Sequence, residues 1–298
     1  MTVSIRRALR LPLGLLLTAL AALSVPASAA GADAPSPDLR VMGFNVRYAA
    51  PGDGANVWDA RRDLLVETIA RRRPHLVGTQ ELLRGQALYV DAHLPGYAWF
   101  GTGRNGDDTD GNGNEHMGVF YDVRRLELRE QGHFWLSDTP DVPGSDNFGL
   151  AMPRMATWGR FRDRASGREF YLFNTHFPHT ADAEPLRERC AELLLARIAR
   201  LPADVPVVVT GDFNAVPGSP THRRLAGPLR DAWQAAPHRT GPEATVHAFT
   251  GKPTDRIDWI LFRGLDVRHV ETATDQADGR YPSDHFPVVA DFAWPSRP

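Results

Sequence analysis

Residues 205–220 read VPVVVTGDFNAVPGSP, an apolar run of strand character that stops at Asp212 and Asn214. Pro217, Gly218 and Pro220 mark the loop beyond it. A strand here carries a carboxylate and an amide out at its end. Four other places repeat the pattern: FNVRY with Asn45, TQE with Glu81, FNTH with Asn174 and His176, and the pair RIDWI and SDH with Asp258, Asp284 and His285. One such cluster is accounted for by a polar residue that caps or turns a strand. Five together ask for sheets that bring their strand ends to one rim, with amides, carboxylates and two imidazoles around a single cleft.

Outward from 205–220 the strands cluster in two runs. LRVMGFNV (39–46) is followed by WDARRDLLVETIARRR, a helix with Trp58, Leu65 and Ile69 on one side, and then by the short strand of PHLVGTQE. GVFYDV, LELREQGHFWL, MATWGRFRD and REFYLFNTHF read as central, partly antiparallel strands, and LRERCAELLLARIARL as an amphipathic helix leading into 205–212. TVHAF, RIDWILF, LDVRHVET and HFPVVADF complete a second strand-rich half. The class is α/β, and the clustering predicts two packed mixed sheets covered by helices rather than one parallel sheet with regular alternation. No period repeats and no long linker divides the chain, so residues 38–298 are expected to form one domain.

The 298 residues are 42% hydrophobic, enough for a substantial core. Arg6, Arg7 and Arg10 precede the apolar run LPLGLLLTALAALSVP, and Ala27-Ser28-Ala29 supplies small residues where a signal peptidase would cut. Residues 1–29 therefore read as a secretory signal peptide and 30–37 as a flexible lead, with a secreted, extracellular product and no stable membrane insertion. Removing residues 1–29 takes out three arginines and no acid, so the formal charge goes from -2 to -5. An acidic product gains little from long-range attraction to DNA or anionic lipid, though a local basic groove is compatible with it. Cys190 is the only cysteine, which excludes an internal disulfide and suits a buried helix position. A monomer is expected.

Two motifs are decoys. GTGRNG (101–106) has dinucleotide-loop spacing, but the following DDTDGNGNE does not open the helix whose amides would meet a pyrophosphate. Asp108, Asp110, Asn112 and Gly113 resemble the start of a calcium loop, yet its twelfth position is Val119 rather than a bidentate acid. There is no G-x-S-x-G and no H-E-x-x-H.

The strand-end residues suit phosphoryl chemistry. Glu81, with the Asn45 carbonyl and Asp284, offers hard oxygen ligands to a magnesium-like ion; Mn or Ca would accept the same donors. Asp212 is placed to orient or deprotonate a water, Asn214 to donate to a phosphate oxygen, and His176 and His285 to donate from opposite sides. Asp258 would accept from the far nitrogen of His285 and favour its protonated form.

FNVRY, TQE, FNTH, GDFNAVPGSP, RIDWI and SDHFPV together resemble the motifs of the endonuclease/exonuclease/phosphatase superfamily, the DNase I-like group. The resemblance spans roughly residues 38–293. It implies a four-layer α/β sandwich with two central mixed β-sheets, and Mg-dependent hydrolysis of a phosphoester by water. It assigns Asn45, Glu81 and Asp284 to the metal, His176 and Asn214 to the phosphate, Asp212 to the water, and Asp258 to His285.

Substrate contacts are expected from the segment between the motifs. Arg104 and His116 would meet a second phosphate or a hydroxyl, Trp158 would stack on a base or sugar, and Tyr121 and Asn174 would face the cleft. The leading expectation is a phosphodiester substrate, with nucleic acid as the familiar form and Arg47, Arg104, Arg154, Arg160 and Arg162 as material for a groove. A sugar, inositol or lipid-head phosphate fits the acidic balance as well, as substrate of a phosphatase or phospholipase C. A reading from another class is a secreted binding protein without turnover, against which the intact Glu81, Asp212 and His285 stand.

Overall fold

A computed structural model describes residues 1–2, 38–109, 113–150 and 152–295. The leader expected at 1–29 and the lead at 30–37 lie outside the described residues, save Met1 and Thr2. So do Asp110 and Asn112 of the calcium-like loop.

In chain order the strands are β1 (Leu39–Asn45), β2 (Leu76–Gln80), β3 (Tyr97–Phe100), β4 (Val119–Asp122), β5 (Leu126–Trp135), β6 (Met155–Asp163) and β7 (Glu169–His176). They continue with β8 (Val207–Asp212), β9 (Arg230–Asp231), β10 (His238–Thr240), β11 (Asp258–Arg263), β12 (Asp266–Thr272) and β13 (Val288–Ala293). The larger helices are α1 (Trp58–Arg72), α2 (Arg84–His93), α3 (Glu184–Ile198) and α4 (Pro220–Ala226). One sheet runs β10-β12-β13-β1-β2-β4-β3 and the other β5-β6-β7-β8-β11-β9. Both are mixed: β1 pairs parallel with β2 and β7 with β8, with antiparallel neighbours outside them.

The central strands are apolar on both faces, and each face has its own partner. Val41, Leu76 and Val119 point into a layer between the sheets with Phe161, Leu172, Val208 and Ile260. Their neighbours Met42, Val77 and Phe120 point the other way, onto Leu65 and Ile69 of α1 and Val90 of α2. In the second sheet Val207 and Val209 face Cys190 and Leu194 of α3. This alternation makes four layers, helices outside two sheets, as the motifs imply. Cys190 is fully buried and its thiol is pushed up to about 12 by that burial, so it packs as a small apolar residue.

Register aligns the strand ends. Asn45 lies opposite Gln80 across β1–β2, and His176 and Asp258 both lie opposite Asp212. Each central parallel pair needs a crossover, supplied by α1 in one sheet and α3 in the other, so both pairs finish at the same rim.

Just below that rim a polar strut joins the sheets. The Asn174 Oδ1 accepts from Gln80 Nε2 at 2.6 Å and Thr210 Oγ1 at 2.9 Å, and its Nδ2 donates to the Thr79 carbonyl at 2.7 Å and the Gly118 carbonyl at 3.1 Å. A Cβ on Gly78 would fall 2.0 Å from Thr210 Oγ1, so only glycine permits this approach. Asn174 is fully buried, which corrects its expected role as a substrate contact. Asn174→Ala is expected to cost about 2–3 kcal/mol of stability, because it strands buried donors and acceptors in both sheets. A urea midpoint equal to that of the parent would refute this.

TVHAF is not a strand. Thr245 and Val246 bond to the Asp255 carbonyl, His247 and Ala248 to the Asp284 carbonyl, and Ala248 and Phe249 then turn at φ of 47° and 62°. The segment is a loop that pins SDH in place. Among the described residues no helix is long and apolar enough to cross a membrane.

Candidate active site

Beyond the strand ends the backbone turns sharply. Arg47, Glu81 and Asn214, all non-glycine, have φ of 53°, 59° and 49°, each within two residues of a strand end. Left-handed conformations of this kind persist only where the surroundings enforce them. Here they aim side chains into one cleft of about 520 Å³, lined by Arg47, Glu81, His176, Asp212, Asn214 and His285 among others.

Asn45 sits at its floor. Its Nδ2 donates to Glu81 Oε1 at 3.1 Å and Asp212 Oδ2 at 2.9 Å, and its Oδ1 accepts from the Arg47 amide. Ser283 Oγ donates to the Asn45 carbonyl at 2.6 Å and thereby ties SDH to β1. Arg61, fully buried on α1, donates to the carbonyls of Val46, Arg47 and Pro282 and so fixes both loops from beneath.

Asp212 is buried, and its Oδ1 accepts from the Asn214 amide at 2.9 Å. Burial first, and the nearby Asp258 second, push its carboxyl up to about 7. The Asn214 Nδ2 donates to His176 Nε2 at 3.1 Å, which assigns the ring proton to Nδ1. That Nδ1 is buried without a hydrogen-bond partner, and burial followed by the charge of Arg154 holds His176 well below the usual range. His285 differs. Burial opposes its charged form, but Asp258, at 2.8 Å from Nδ1, with Asp212 and Asp284, raises it well above 6.5. Thr245 Oγ1 holds the same Asp258 oxygen at 2.5 Å. The two imidazoles, one biased to its neutral form and the other to its charged form, lie 3.6 Å and 3.9 Å from Asp212 Oδ2.

The donor set suits a hard divalent cation. Glu81 and Asp284 both flank the Arg47 guanidinium, at 3.7 Å and 3.9 Å, and Asn45 links Glu81 to Asp212, while Asp53 holds Arg47 at 2.8 Å. Asp212, Asp258 and His285 also place ligand atoms within 4.8 Å of one another. The Asp258–His285 hydrogen bond occupies both partners there, so the oxygen-rich Glu81 side fits the cation better. An ion held by Glu81, Asp284 and Asn45 would withdraw charge from phosphoryl oxygens.

The site residues expected at strand ends meet here: Asn45, Glu81, His176, Asp212, Asn214, Asp258, Asp284 and His285. Several expected substrate contacts do not. Tyr121 points between the sheets onto Phe161, ring centroids 5.4 Å apart, since Phe120 takes the helix side. Trp158 lies against Tyr171 and Phe134 on the α3 side of the second sheet, lining a separate hollow. His116 is fully buried, bridges Leu82 and Gly103 and packs on Trp99. Arg104 does line the cleft, but its guanidinium is paired with Glu115 at 2.9 Å. Glu115, Arg154 and His179 also line it; charged residues before or after loops carry no sequence signal that separates them from a solvated surface.

The family model for the endonuclease/exonuclease/phosphatase family matches residues 42–285. The chain belongs to that family. This makes it a phosphoester hydrolase, in a family whose members depend on a divalent metal. A solved family member from Bacteroides thetaiotaomicron is 30% identical, with a TM-score of 0.81 over 87% of this chain and 98% of that one. A Bacteroides thetaiotaomicron mannosyl-6-phosphatase is also 30% identical, with a TM-score of 0.80 over 86% of this chain and all of that one. Nocturnin from Drosophila melanogaster is 24% identical over 86% of this chain, which spans 46% of that longer protein.

Proposed function

We propose that the chain is a secreted, Mg-dependent phosphatase of small polar phosphomonoesters, of which a sugar phosphate is the favoured class. The size of the cleft carries this reading: a volume of about 520 Å³ matches a phosphorylated sugar. Four of the five arginines proposed for a basic groove are held by carboxylates, and the fifth, Arg154, lies buried at the cleft wall rather than along an open groove. Arg160 is paired with Glu130 and Glu169 at 2.8 Å and 2.6 Å, Arg162 lies 3.8 Å from Glu127, and Arg47 and Arg104 are paired with Asp53 and Glu115. Hydrolysis of a diester, the first expectation from sequence, therefore ranks second. The full-length likeness to a mannosyl-6-phosphatase supports the same choice. Secretion rests on the pattern of residues 1–29.

The test is a substrate panel with purified protein and Mg: mannose 6-phosphate, an inositol phosphate, plasmid DNA, RNA and sphingomyelin. Sugar phosphate is expected to turn over at least about tenfold faster than any diester, with the rate abolished by EDTA. Faster cleavage of DNA or sphingomyelin would reject the reading.

A further inference from the structure

Arg154 precedes β6 and is 3% exposed, yet no carboxylate among the described residues lies within 4.0 Å of it. Its Nη2 lies 3.1 Å from His179 Nδ1, while Nε and Nη1 are buried with no hydrogen-bond partner. Its neighbour Glu115 is engaged by Arg104 at 2.9 Å, so it acts on Arg154 only through space, as Asp212 and Glu81 do, without a direct ion pair. A buried guanidinium with no carboxylate in contact is unfavourable for folding alone. Its position explains it: Arg154 lines both the cleft that holds His176 and Asp212 and an adjoining cavity of about 270 Å³ that shares Met152, Arg154 and His179.

We infer that Arg154 is the anion anchor of the cleft, donating from Nε and Nη1 to terminal phosphate oxygens, and that it selects monoester dianions over diesters. This rests on the phosphatase reading above. A monoester above its second ionisation near pH 6 carries about two charges on three terminal oxygens, whereas a diester has one charge on two. Asn214 Nδ2 is already engaged by His176 Nε2 and the Phe177 carbonyl, which leaves His285 as the donor that faces the cleft beside Asp212. Arg154 adds donors and a full charge for the remaining oxygens, and the incoming dianion supplies the counterion. His179, held low by burial and the charge of Arg154, stays a neutral acceptor that orients the guanidinium.

The experiment uses Arg154→Met and Arg154→Lys in the full chain. Inorganic phosphate titrated calorimetrically into divalent-free protein is expected to bind at least about tenfold more weakly to Arg154→Met, with Arg154→Lys between it and the parent. Melting temperature is the second readout: removing a buried charge with no carboxylate in contact is expected to leave Arg154→Met level or a few degrees higher. Unchanged phosphate affinity, or a fall of more than about 4 °C in both variants, would mean that Arg154 is only a structural strut. Rates on p-nitrophenyl phosphate and its bis-ester complete the set. Arg154→Met is expected to lose about a hundredfold on the monoester and less than tenfold on the diester; equal losses would overturn the selectivity. A parent that prefers the bis-ester would sink the phosphatase reading by itself, while phosphate affinity would still decide whether Arg154 binds the anion.

Discussion

Asp212→Asn is expected to lower kcat by at least about a hundredfold without lowering the melting temperature. The side chain is buried between Asn45, which donates to Oδ2, and the Asn214 amide, which donates to Oδ1, so a near-isosteric amide keeps the volume of the site. What it loses is the acceptor able to take a proton from water. Desolvation has already pushed that carboxyl up to about 7, which makes it both a competent base and a costly anion. The neutral amide removes that cost, which offsets the loss of one of the two hydrogen bonds that the carboxylate oxygens accept, hence the preserved stability. The same shift sets the acid side of the pH profile. Asp212 acts as the carboxylate, so the rate falls as pH drops through about 7 at low metal, and the limb moves to lower pH as a divalent cation adds positive charge near Asn45 and Glu81. An Asp212→Asn enzyme with the full rate and the same acid limb would remove Asp212 from the reaction.

The contrast between residues found and residues misplaced has a physical source. A polar side chain beside an apolar run is conspicuous because the run supplies a reference: Asn45, Glu81, His176, Asp212 and Asn214 end or follow such runs, while Asp258, Asp284 and His285 open or precede them. Depth was not visible. Asn174 and His176 share a face of β7, but two residues of strand span about 7 Å, enough to put one in the cleft and the other in the floor beneath it. Facing was not visible either. When both faces of a strand are apolar, as with Phe120 beside Tyr121, alternation predicts opposite sides without saying which side meets the cleft. Arg154 was legible only as groove material, and Glu115 not at all: the burial of Arg154 without a carboxylate in contact, and of Glu115 against Arg104, belongs to the packed fold.

The Asp258–His285 pair is expected to behave as one unit. His285→Asn should reduce kcat by about 10²–10⁴, Asp258→Asn by about 10–100, and the double variant no further than His285→Asn alone. The reason is the order of contacts: His285 faces the cleft, whereas Asp258 reaches it only through Nδ1 and is itself held by Thr245. Asp258, Asp212 and Asp284 raise His285 above 6.5 against the opposing effect of burial, so the imidazolium is present at neutral pH and can donate to phosphate oxygen. Activity is therefore expected to fall on the alkaline side as pH rises through the folded value. Stability follows the same sign, because the folded value exceeds the unfolded one: the contribution is complete below about 6.5 and disappears as pH passes the folded value. In Asp258→Asn one of the three carboxylates that raise His285 is gone, so the alkaline limb must shift toward neutral pH. A limb that stayed in place, or kcat losses that multiplied in the double variant, would show the two side chains acting independently.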